Sequence, residues 1–442
     1  MSGEPALSGA GKVRRETTCP DGTLTKVTHT YPTTLTPRGR ISGMKHLQVI
    51  VALFCLLITV DVNPGFSGAL KAFPSEEVQS PQALWEVDLS KFGYNERLTE
   101  PFDKTYPHPV TWTARQSLSF TTESVIAATF ETHIENSGPS VHGKSLPTDP
   151  YQMVALFLTA ERGEAISKGD WPLNPSTRTS YFFPAQNGRF VLAMGNVLTL
   201  YSPDMKAIRE RTVPASYGEL LMAFASPDAE TFLILYVGLA EDKYAWKLDL
   251  IDSSQLSVLK SWTGEDAKPK WSLWGNEIAR FSEHGIQIES TSSGPKDVLT
   301  PTNKLCGYQS LVNQTTIAFS NLDKHGCNTV TLISTDGNTL QELHFEPNAL
   351  VGAALASRNG KVFAIKRLRS QRPPWKPVAT VFELGNDTPL LTVDFPEVKP
   401  DSPEFGVPTD GWNRMALSPD GDLLAVRSGP IVRVYRVPQT AQ

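Results

Sequence analysis

The 442-residue sequence has few of the residues from which enzymes most often build reactive or metal-binding sites. It contains 4 cysteines and 8 histidines, and no His-Glu-x-x-His, Cys-x-x-Cys, Cys-x-x-Cys-His or Gly-x-Ser-x-Gly pattern occurs in it. Most of the histidines stand singly in polar or turn-like surroundings, at His108, His133, His142, His284, His325 and His344. We therefore predict no catalytic residue, no metal ion and no cofactor.

An excess of basic residues is also missing. The chain has 41 Lys and Arg against 46 Asp and Glu, which gives a formal net charge of -5. A nucleic-acid-binding protein needs a basic face to replace the counterions along the phosphates, so we predict no nucleic-acid partner. Residues 1–43 differ from the rest because they are basic and rich in Thr, Ser, Gly and Pro. This composition cannot bury a core, and it predicts either a disordered extension or a stretch that precedes the true start.

No apolar run reaches the roughly 20 residues that a membrane-spanning helix needs. The main run is Leu47–Val60, and it follows the basic start Met44-Lys45-His46. Asn63-Pro64-Gly65 and the small residues Ser67-Gly68-Ala69 come after it. A basic start, a short apolar core and small residues at the end are typical of a secretory signal peptide.

We interpret residues 44–69 as a signal peptide that is cleaved after Ala69, and residues 70–83 as a linker. The alternative is a membrane anchor that contacts the bilayer only through residues 47–60. Both interpretations place the C-terminal body outside the cytoplasm, in a secreted or periplasmic location of a bacterium.

The cysteine positions agree with export. Cys19 and Cys55 lie in the part that we expect to be lost, which leaves Cys306 and Cys327 as an even pair. Disulfides form in exported proteins, so these two residues are candidates for a disulfide bond. Two free buried thiols are the alternative.

A repeated strand pattern dominates the rest of the chain, and its clearest copy lies near the C-terminus. Met415–Leu417 runs into the turn Ser418-Pro419-Asp420-Gly421, and Leu423–Val426 follows. A second turn leads into Ile431–Tyr435, which alternates β-branched and other side chains. Proline and glycine at these turn positions and alternation in the strands are typical of an antiparallel sheet.

Related turns recur along the chain at Ser124, Gly188, Ala229, Asn276, Gln314, Gly360 and Gly421. Four of the six gaps between them are about 38–47 residues, close to the length of one four-stranded propeller blade. The two longer gaps contain the polar insert His133–Pro150 and the proline-rich segment Pro396–Asp410. The sequence therefore predicts an all-β, seven-bladed β-propeller over residues 84–442. A β-sandwich with long excursions, or two small β domains, is the alternative.

The last repeat supplies only three strands before the chain ends. Ala83–Leu89 is an isolated alternating strand that precedes the first full repeat. We expect it to complete the C-terminal blade, because closure of the ring removes the exposed sheet edges of an open array.

Ala416–Val426 resembles the core of the WD-repeat and related bacterial periplasmic propeller families. The resemblance extends loosely from Trp85 to Val437. No Gly-His pair precedes the first strand, and Val434-Tyr435-Arg436 stands where a true WD repeat has Trp-Asp. The resemblance implies a propeller fold and says little about function, because this architecture hosts scaffolds, lyases, lactonases and quinoproteins alike.

Two groups of residues are candidates for binding. The channel-facing ends of the inner strands are predicted to carry Tyr181, Glu219, Trp271, Tyr308, Gly352 and Trp412. Their aromatic rings could stack on a sugar or a peptide, or pack between blades. The second group is a cationic, proline-stiffened hairpin tip that offers possible interface anchors at Arg367, Arg369, Arg372 and Trp375.

Together these features favour an exported propeller that binds or scaffolds another protein or an envelope component. The alternative is a propeller enzyme that acts on a sugar or lactone in the central channel.

The leader interpretation predicts the mature N-terminus. Edman degradation or mass spectrometry of the exported protein should find Leu70 as the first residue, because cleavage follows Ala69. A mature terminus upstream of Met44 would contradict the assignment of the start to that methionine.

Overall fold

The computed structural model describes residues 15–18, 24–27, 81–94, 116–131, 152–173, 180–240, 243–264, 270–282, 285–299, 305–321, 327–346, 349–368, 377–395 and 414–439. The chain divides into two units, residues 1–76 and residues 77–442. The described part of the first unit is a two-stranded antiparallel hairpin of β1 (Arg15–Thr18) and β2 (Leu24–Val27). The predicted leader and apolar run lie outside the described residues. No helix among the described residues is both long and apolar enough to span a bilayer.

The second unit consists of seven four-stranded antiparallel sheets, which we number as blades. The strand β3 (Trp85–Asp88) comes first in the chain. Blade 1 contains β4 (Gln116–Thr122), β5 (Val125–Glu131), β6 (Gln152–Thr159) and β7 (Ala165–Pro172). Blade 2 contains β8 (Ser180–Pro184), β9 (Phe190–Met194), β10 (Val197–Tyr201) and β11 (Ala207–Thr212). Blade 3 contains β12 (Glu219–Ala225), β13 (Thr231–Ala240), β14 (Lys243–Asp252) and β15 (Val258–Gly264).

Blade 4 contains β16 (Lys270–Trp274), β17 (Glu277–Ser282), β18 (Gly285–Ser290) and β19 (Lys296–Leu299). Blade 5 contains β20 (Leu305–Asn313), β21 (Thr316–Asn321), β22 (Thr329–Ser334) and β23 (Thr339–His344). Blade 6 contains β24 (Leu350–Ala356), β25 (Val362–Leu368), β26 (Pro377–Glu383) and β27 (Leu391–Asp394). Blade 7 contains β28 (Met415–Leu417), β29 (Leu423–Ser428), β30 (Ile431–Arg436) and β3. The described helical segments are short 3-10 turns, at Leu89–Phe92, Gln186–Gly188 and Ala215–Tyr217.

The blades form a closed ring. Within blades 1 to 6 the strands are paired in chain order. The first strand of each blade contacts the first strand of the next blade, and β28 of blade 7 contacts β4 of blade 1. The first strands therefore surround a central channel, and the seven-bladed propeller predicted from the repeat spacing is confirmed.

The turn between the first two strands of blade 7 shows why the repeat has its sequence. Ser418 Oγ accepts a hydrogen bond from the Leu423 amide at 2.9 Å and donates one to Asp420 Oδ1 at 2.5 Å. Gly421 has φ +88°, and a Cβ there would lie 2.9 Å from Cβ of Val362 in blade 6. The glycine is therefore required both by the turn and by the close approach of the neighbouring blade.

The N-terminal strand closes blade 7, as the sequence predicts. In the pairing of β3 with β30, Trp85 lies opposite Val434 and Asp88 lies opposite Ile431. Trp85 Nε1 also donates a hydrogen bond to the carbonyl of Ala160 in blade 1 at 2.7 Å. This pairing covers the edge of β30, which would otherwise present unpaired backbone groups to other chains.

The apolar core is distributed between blades rather than inside any one of them. The residues buried where blade 7 meets blade 1 include Val432 and Ala425 from the former and Phe130 and Leu156 from the latter. Similar clusters join each of the other neighbouring pairs of blades. Each sheet therefore depends on its neighbours to remove its two faces from water.

Arg427 holds the junction between blade 7 and blade 1. Its side chain is fully buried, and its Nε donates to the carbonyl of Gly429 at 3.0 Å. Its NH1 donates to the carbonyl of Thr129 in blade 1 at 2.8 Å. The guanidinium also lies 5.1 Å from the ring centroid of Tyr94 and 5.9 Å from that of Phe130. One side chain thus links both blades and the segment that follows β3.

We expect Arg427→Met to lower the free energy of unfolding by about 3 kcal/mol, because it keeps much of the volume but leaves two buried carbonyls without their donor. Urea denaturation measures this loss. Arg209→Met is the matched control, since Arg209 is exposed on the outer strand β11 and should cost less than about 0.5 kcal/mol. Equal midpoints for the two variants would show that Arg427 does not hold the ring closed.

Candidate binding site in the central channel

The innermost strand of blade 3 presents apolar side chains to solvent. Leu221 is 38% exposed, and Met222 and Phe224 are each 36% exposed. The register of β12 with β13 shifts between Leu220 and Met222, so Leu221 is the extra residue of a β-bulge. Because β12 lines the channel, these side chains form an apolar patch on the channel wall. We call Leu221, Met222 and Phe224 the channel patch.

Blade 2 supports the bulge in β12. The hydroxyl of Tyr181 donates a hydrogen bond to the carbonyl of Leu221 at 2.7 Å. The ring of Tyr181 stacks on Phe183, with centroids 6.2 Å apart and an interplanar angle of 7°. This contact fixes the backbone of the channel patch and satisfies a carbonyl that the bulge removes from the ladder.

The wall is polar where blades 4 and 5 meet. The hydroxyl oxygens of Ser272 on β16 and Ser310 on β20 lie 3.0 Å apart. Ser272 Oγ also accepts a hydrogen bond from the amide of Leu311 at 2.9 Å. The channel is therefore apolar at blade 3 and carries hydroxyl groups on another side.

One end of the channel is bounded by the seven turns that join the first and second strands of the blades. We call these turns the turn ring. Side-chain hydrogen bonds join four pairs of neighbouring turns. Gln186 Nε2 of blade 2 donates to Glu230 Oε1 of blade 3 (3.1 Å), and Gly275 N of blade 4 donates to Ser226 Oγ of blade 3 (2.8 Å). Asn313 Nδ2 of blade 5 donates to the Gly360 carbonyl of blade 6 (3.3 Å), and Asn359 Nδ2 of blade 6 donates to the Asp420 carbonyl of blade 7 (2.8 Å). These bonds hold the turns in fixed positions around the axis.

The turn ring is acidic. Its turns and their flanking residues carry the acids Glu123, Asp228, Glu230, Glu277, Asp420 and Asp422. The basic residues of the same turns are Arg189, Arg358 and Lys361. Blade 3 contributes two adjacent carboxylates, since a Cβ at Gly275 would lie 2.8 Å from Asp228 Oδ2 and 3.8 Å from Glu230 Oε2. Burial raises the pKa of the Glu230 carboxyl, and the neighbouring charges of Asp228 and Asp252 raise it further.

Arg358 lies in the turn of blade 6 and interacts electrostatically with acids of other turns. Burial lowers the pKa of its guanidinium, and the carboxylates of Asp228 and Glu123 act in the opposite direction. Arg358 belongs to blade 6, Asp228 to blade 3 and Glu123 to blade 1, and none of these blades is adjacent to another. Arg358 therefore interacts electrostatically with carboxylates of two blades that are not its neighbours. Arg358 Nε is buried and has no hydrogen-bond partner.

The residues predicted to line the channel have different positions in the structure. Tyr181 lies on β8 and contacts the channel patch through its hydroxyl, and Gly352 lies on β24. Trp271 lies on β16 but is buried, with its ring 5.5 Å from that of Trp262 and 6.4 Å from that of Trp246. Glu219 and Tyr308 belong to β12 and β20, but their side chains are outside what the structure describes, as is Trp412 altogether. Their role in lining the channel stays a prediction.

The channel patch and Arg358 are not among the residues predicted from the sequence. A signal for Arg358 exists, because it occupies the turn Ser357-Arg358-Asn359-Gly360, which is equivalent to Ser418-Pro419-Asp420-Gly421. No comparable signal marks Leu221, since its exposure results from a bulge.

Of the residues predicted at the cationic hairpin tip, the structure describes Arg367. Arg367 lies inside β25 and is buried, with an ion pair to Glu346 and its guanidinium 5.1 Å from the ring centroid of Phe345. Its charge is therefore used within the blade, and it cannot act as an exposed interface anchor. Arg369, Arg372 and Trp375 lie outside the described residues, in the connection from β25 to β26.

Cys306 and Cys327 are brought together in blade 5. Their sulfur atoms are at bonding distance, with Cα atoms 6.0 Å apart. Cys306 lies near the start of β20, and Cys327 lies two residues before β22. The bond would tie the innermost strand of the blade to its third strand. Among the described residues, no group of three or more His, Cys, Asp or Glu side chains is placed to hold a metal ion.

Comparison with known proteins adds little to this geometry. No protein-family model matches the chain, and no curated protein matches it. Among solved structures, it is similar to KlHsv2 with loop 6CD replaced by a Gly-Ser linker (10% identity, 72% of this chain and 90% of that chain, TM-score 0.45). It is also similar to a chain of the mitotic checkpoint complex (12%, 78% and 97%, 0.44) and to a putative TolB from Agrobacterium tumefaciens (13%, 62% and 95%, 0.38). The chain is a seven-bladed β-propeller by its own strand pairing, and these distant similarities carry no argument about its activity.

We expect the double variant Cys306→Ser/Cys327→Ser to lower the free energy of unfolding by about 3 kcal/mol, because the unfolded chain loses a closed loop. Guanidinium denaturation measures this loss. Reductant should shift the midpoint of the wild type to that of the double variant and leave the variant unchanged. A wild-type midpoint that does not respond to reductant would show that the two thiols are free.

Proposed function

We propose that this protein is an exported β-propeller that binds a partner protein through its central channel. The observation that carries the proposal is the channel patch, which places three large apolar side chains in contact with solvent on a single innermost strand. Clustered apolar side chains on a rigid support are typical of binding surfaces, because their burial by a partner is favourable and costs little ordering.

The outer rim of the propeller is a weaker candidate. Ile166, Ile208, Leu259 and Leu340 are also exposed. Each is the bulged residue of an outermost strand, and each belongs to a different blade. Bulges of this kind protect sheet edges from pairing with other chains, and single exposed aliphatic side chains need no partner.

Export is supported by the leader pattern at residues 44–69 and by the proximity of Cys306 and Cys327. We infer a secreted or periplasmic location, with the partner a protein or another envelope component. The hairpin tip with Arg369, Arg372 and Trp375 stays a second proposed contact surface. No observation on the described residues favours the alternative enzyme that acts on a sugar or lactone.

Site-specific photo-crosslinking in cells that produce the protein tests the proposal. A photo-reactive side chain is introduced in place of Phe224, of Trp375 or of Ile166, and the crosslinked products are separated by mass. We expect one discrete product from position 224 in the envelope fraction, since a bound partner contacts the channel patch. Ile166 is the control, because it is 53% exposed on an outer strand.

A discrete product only from position 375 would move the contact to the hairpin tip. Equal products from positions 224 and 166, or none from either 224 or 375, would contradict a specific binding function. Crosslinks confined to the cytoplasmic fraction would contradict export.

A further inference from the structure

We infer that the channel binds a cationic peptide segment that carries apolar side chains, in which the apolar groups contact the channel patch and the positive charge faces the turn ring. This inference rests on the proposed function and names the chemistry of the partner. It follows from the continuity of two surfaces on blade 3 and from the charge that surrounds Arg358.

The channel patch and the acidic groups belong to one continuous stretch of chain. Phe224 is the penultimate residue of β12, and the turn that follows carries Asp228 and Glu230. The segment from Phe224 to Asp228 spans at most about 13 Å, at roughly 3.3 Å per extended residue. A single short peptide segment can therefore contact both the apolar side chains and the carboxylates.

The charge near the axis selects a cation. Asp228, Glu230 and Glu123 belong to the turn ring with Arg358, and Glu230 lies beside Asp228 next to Gly275. An incoming ammonium or guanidinium group is attracted by three carboxylates and repelled by one guanidinium. An incoming anion is repelled by the three carboxylates and attracted by the guanidinium. The net charge of -5 on the whole chain acts in the same direction during encounter.

Removal of the Arg358 guanidinium distinguishes a cationic partner from an anionic one, because it changes their binding in opposite directions. If the partner is cationic, Arg358 repels it, and removal of the guanidinium strengthens binding. If the partner is anionic, Arg358 is its main contact, and removal of the guanidinium weakens binding. The two possibilities therefore predict opposite effects of one substitution.

The experiment measures binding of three fluorescent peptides by anisotropy. The peptides are of equal length and have leucine at the same positions, and their remaining residues are lysine, glutamate or serine. With the full chain after removal of the leader, we expect the lysine peptide to bind more tightly than the serine peptide, and the glutamate peptide to bind most weakly. Arg358→Gln should tighten binding of the lysine peptide about threefold and Glu123→Gln should weaken it about threefold, with both effects reduced at high salt.

Two matched controls separate the channel from the rest of the surface. Glu342→Gln removes an exposed acid from the outer strand β23 and should leave the affinity for the lysine peptide unchanged. Phe224→Ser should weaken binding of every peptide, whereas Ile166→Ser should not. Preference for the glutamate peptide, or weaker lysine-peptide binding by Arg358→Gln, overturns the inference. Binding that ignores peptide charge also overturns it. If no peptide binds but position 224 still crosslinks to a discrete partner, the inference fails and the proposed function stands.

Discussion

The ring exists because no blade can bury its own faces. A four-stranded sheet has two faces, and in this protein the buried clusters lie between neighbouring blades. A gap at any junction would expose apolar surface on both sides of it. The junction between the last and first blades must therefore stay closed like the others. Blade 1 follows β3 in the chain, so chain continuity joins it to blade 7 only through the pairing of β3 with β30. The junction depends on β3 paired with β30 and on Arg427, which donates hydrogen bonds to two carbonyls and contacts two aromatic rings.

This constraint explains which parts of the fold are visible in the sequence. The turns at Gly188, Gly360 and Gly421 all have positive φ, and each glycine lies close to a neighbouring blade. Because both demands exclude other residues, the turns recur as readable signals at the spacing of the blades. The closing strand was also predictable, since the C-terminal repeat has three strands and Trp85–Asp88 alternates. The number of blades and the closure of the ring therefore follow from local chemistry repeated along the chain.

The candidate site depends on contacts that local patterns do not encode. Alternation along β12 does not reveal that Leu221 is an extra residue, because a bulge is decided by the pairing with β13 and by the hydroxyl of Tyr181 from another blade. The electrostatic interaction of Arg358 with Asp228 and Glu123 involves three blades that are not neighbours, and it arises only when the ring closes. The position of Arg367 also could not be predicted from the local sequence pattern. The cationic run suggests a hairpin tip, but β25 continues to Leu368 and Arg367 finds Glu346 beyond its own hairpin.

The charges on the turn ring come from several blades rather than from one. Hydrogen bonds between the turns fix the backbone of the turn ring, so its carboxylates stay on neighbouring turns at one end of the channel. The raised pKa of Glu230 reflects this crowding together with burial. Arg358 offsets part of the negative charge, but it acts on Asp228 and Glu123 through space while its Nε has no partner. A cation that binds beside the channel patch would offset more of this negative charge. Its binding would be favourable because it reduces the repulsion among carboxylates that the closed ring has brought together.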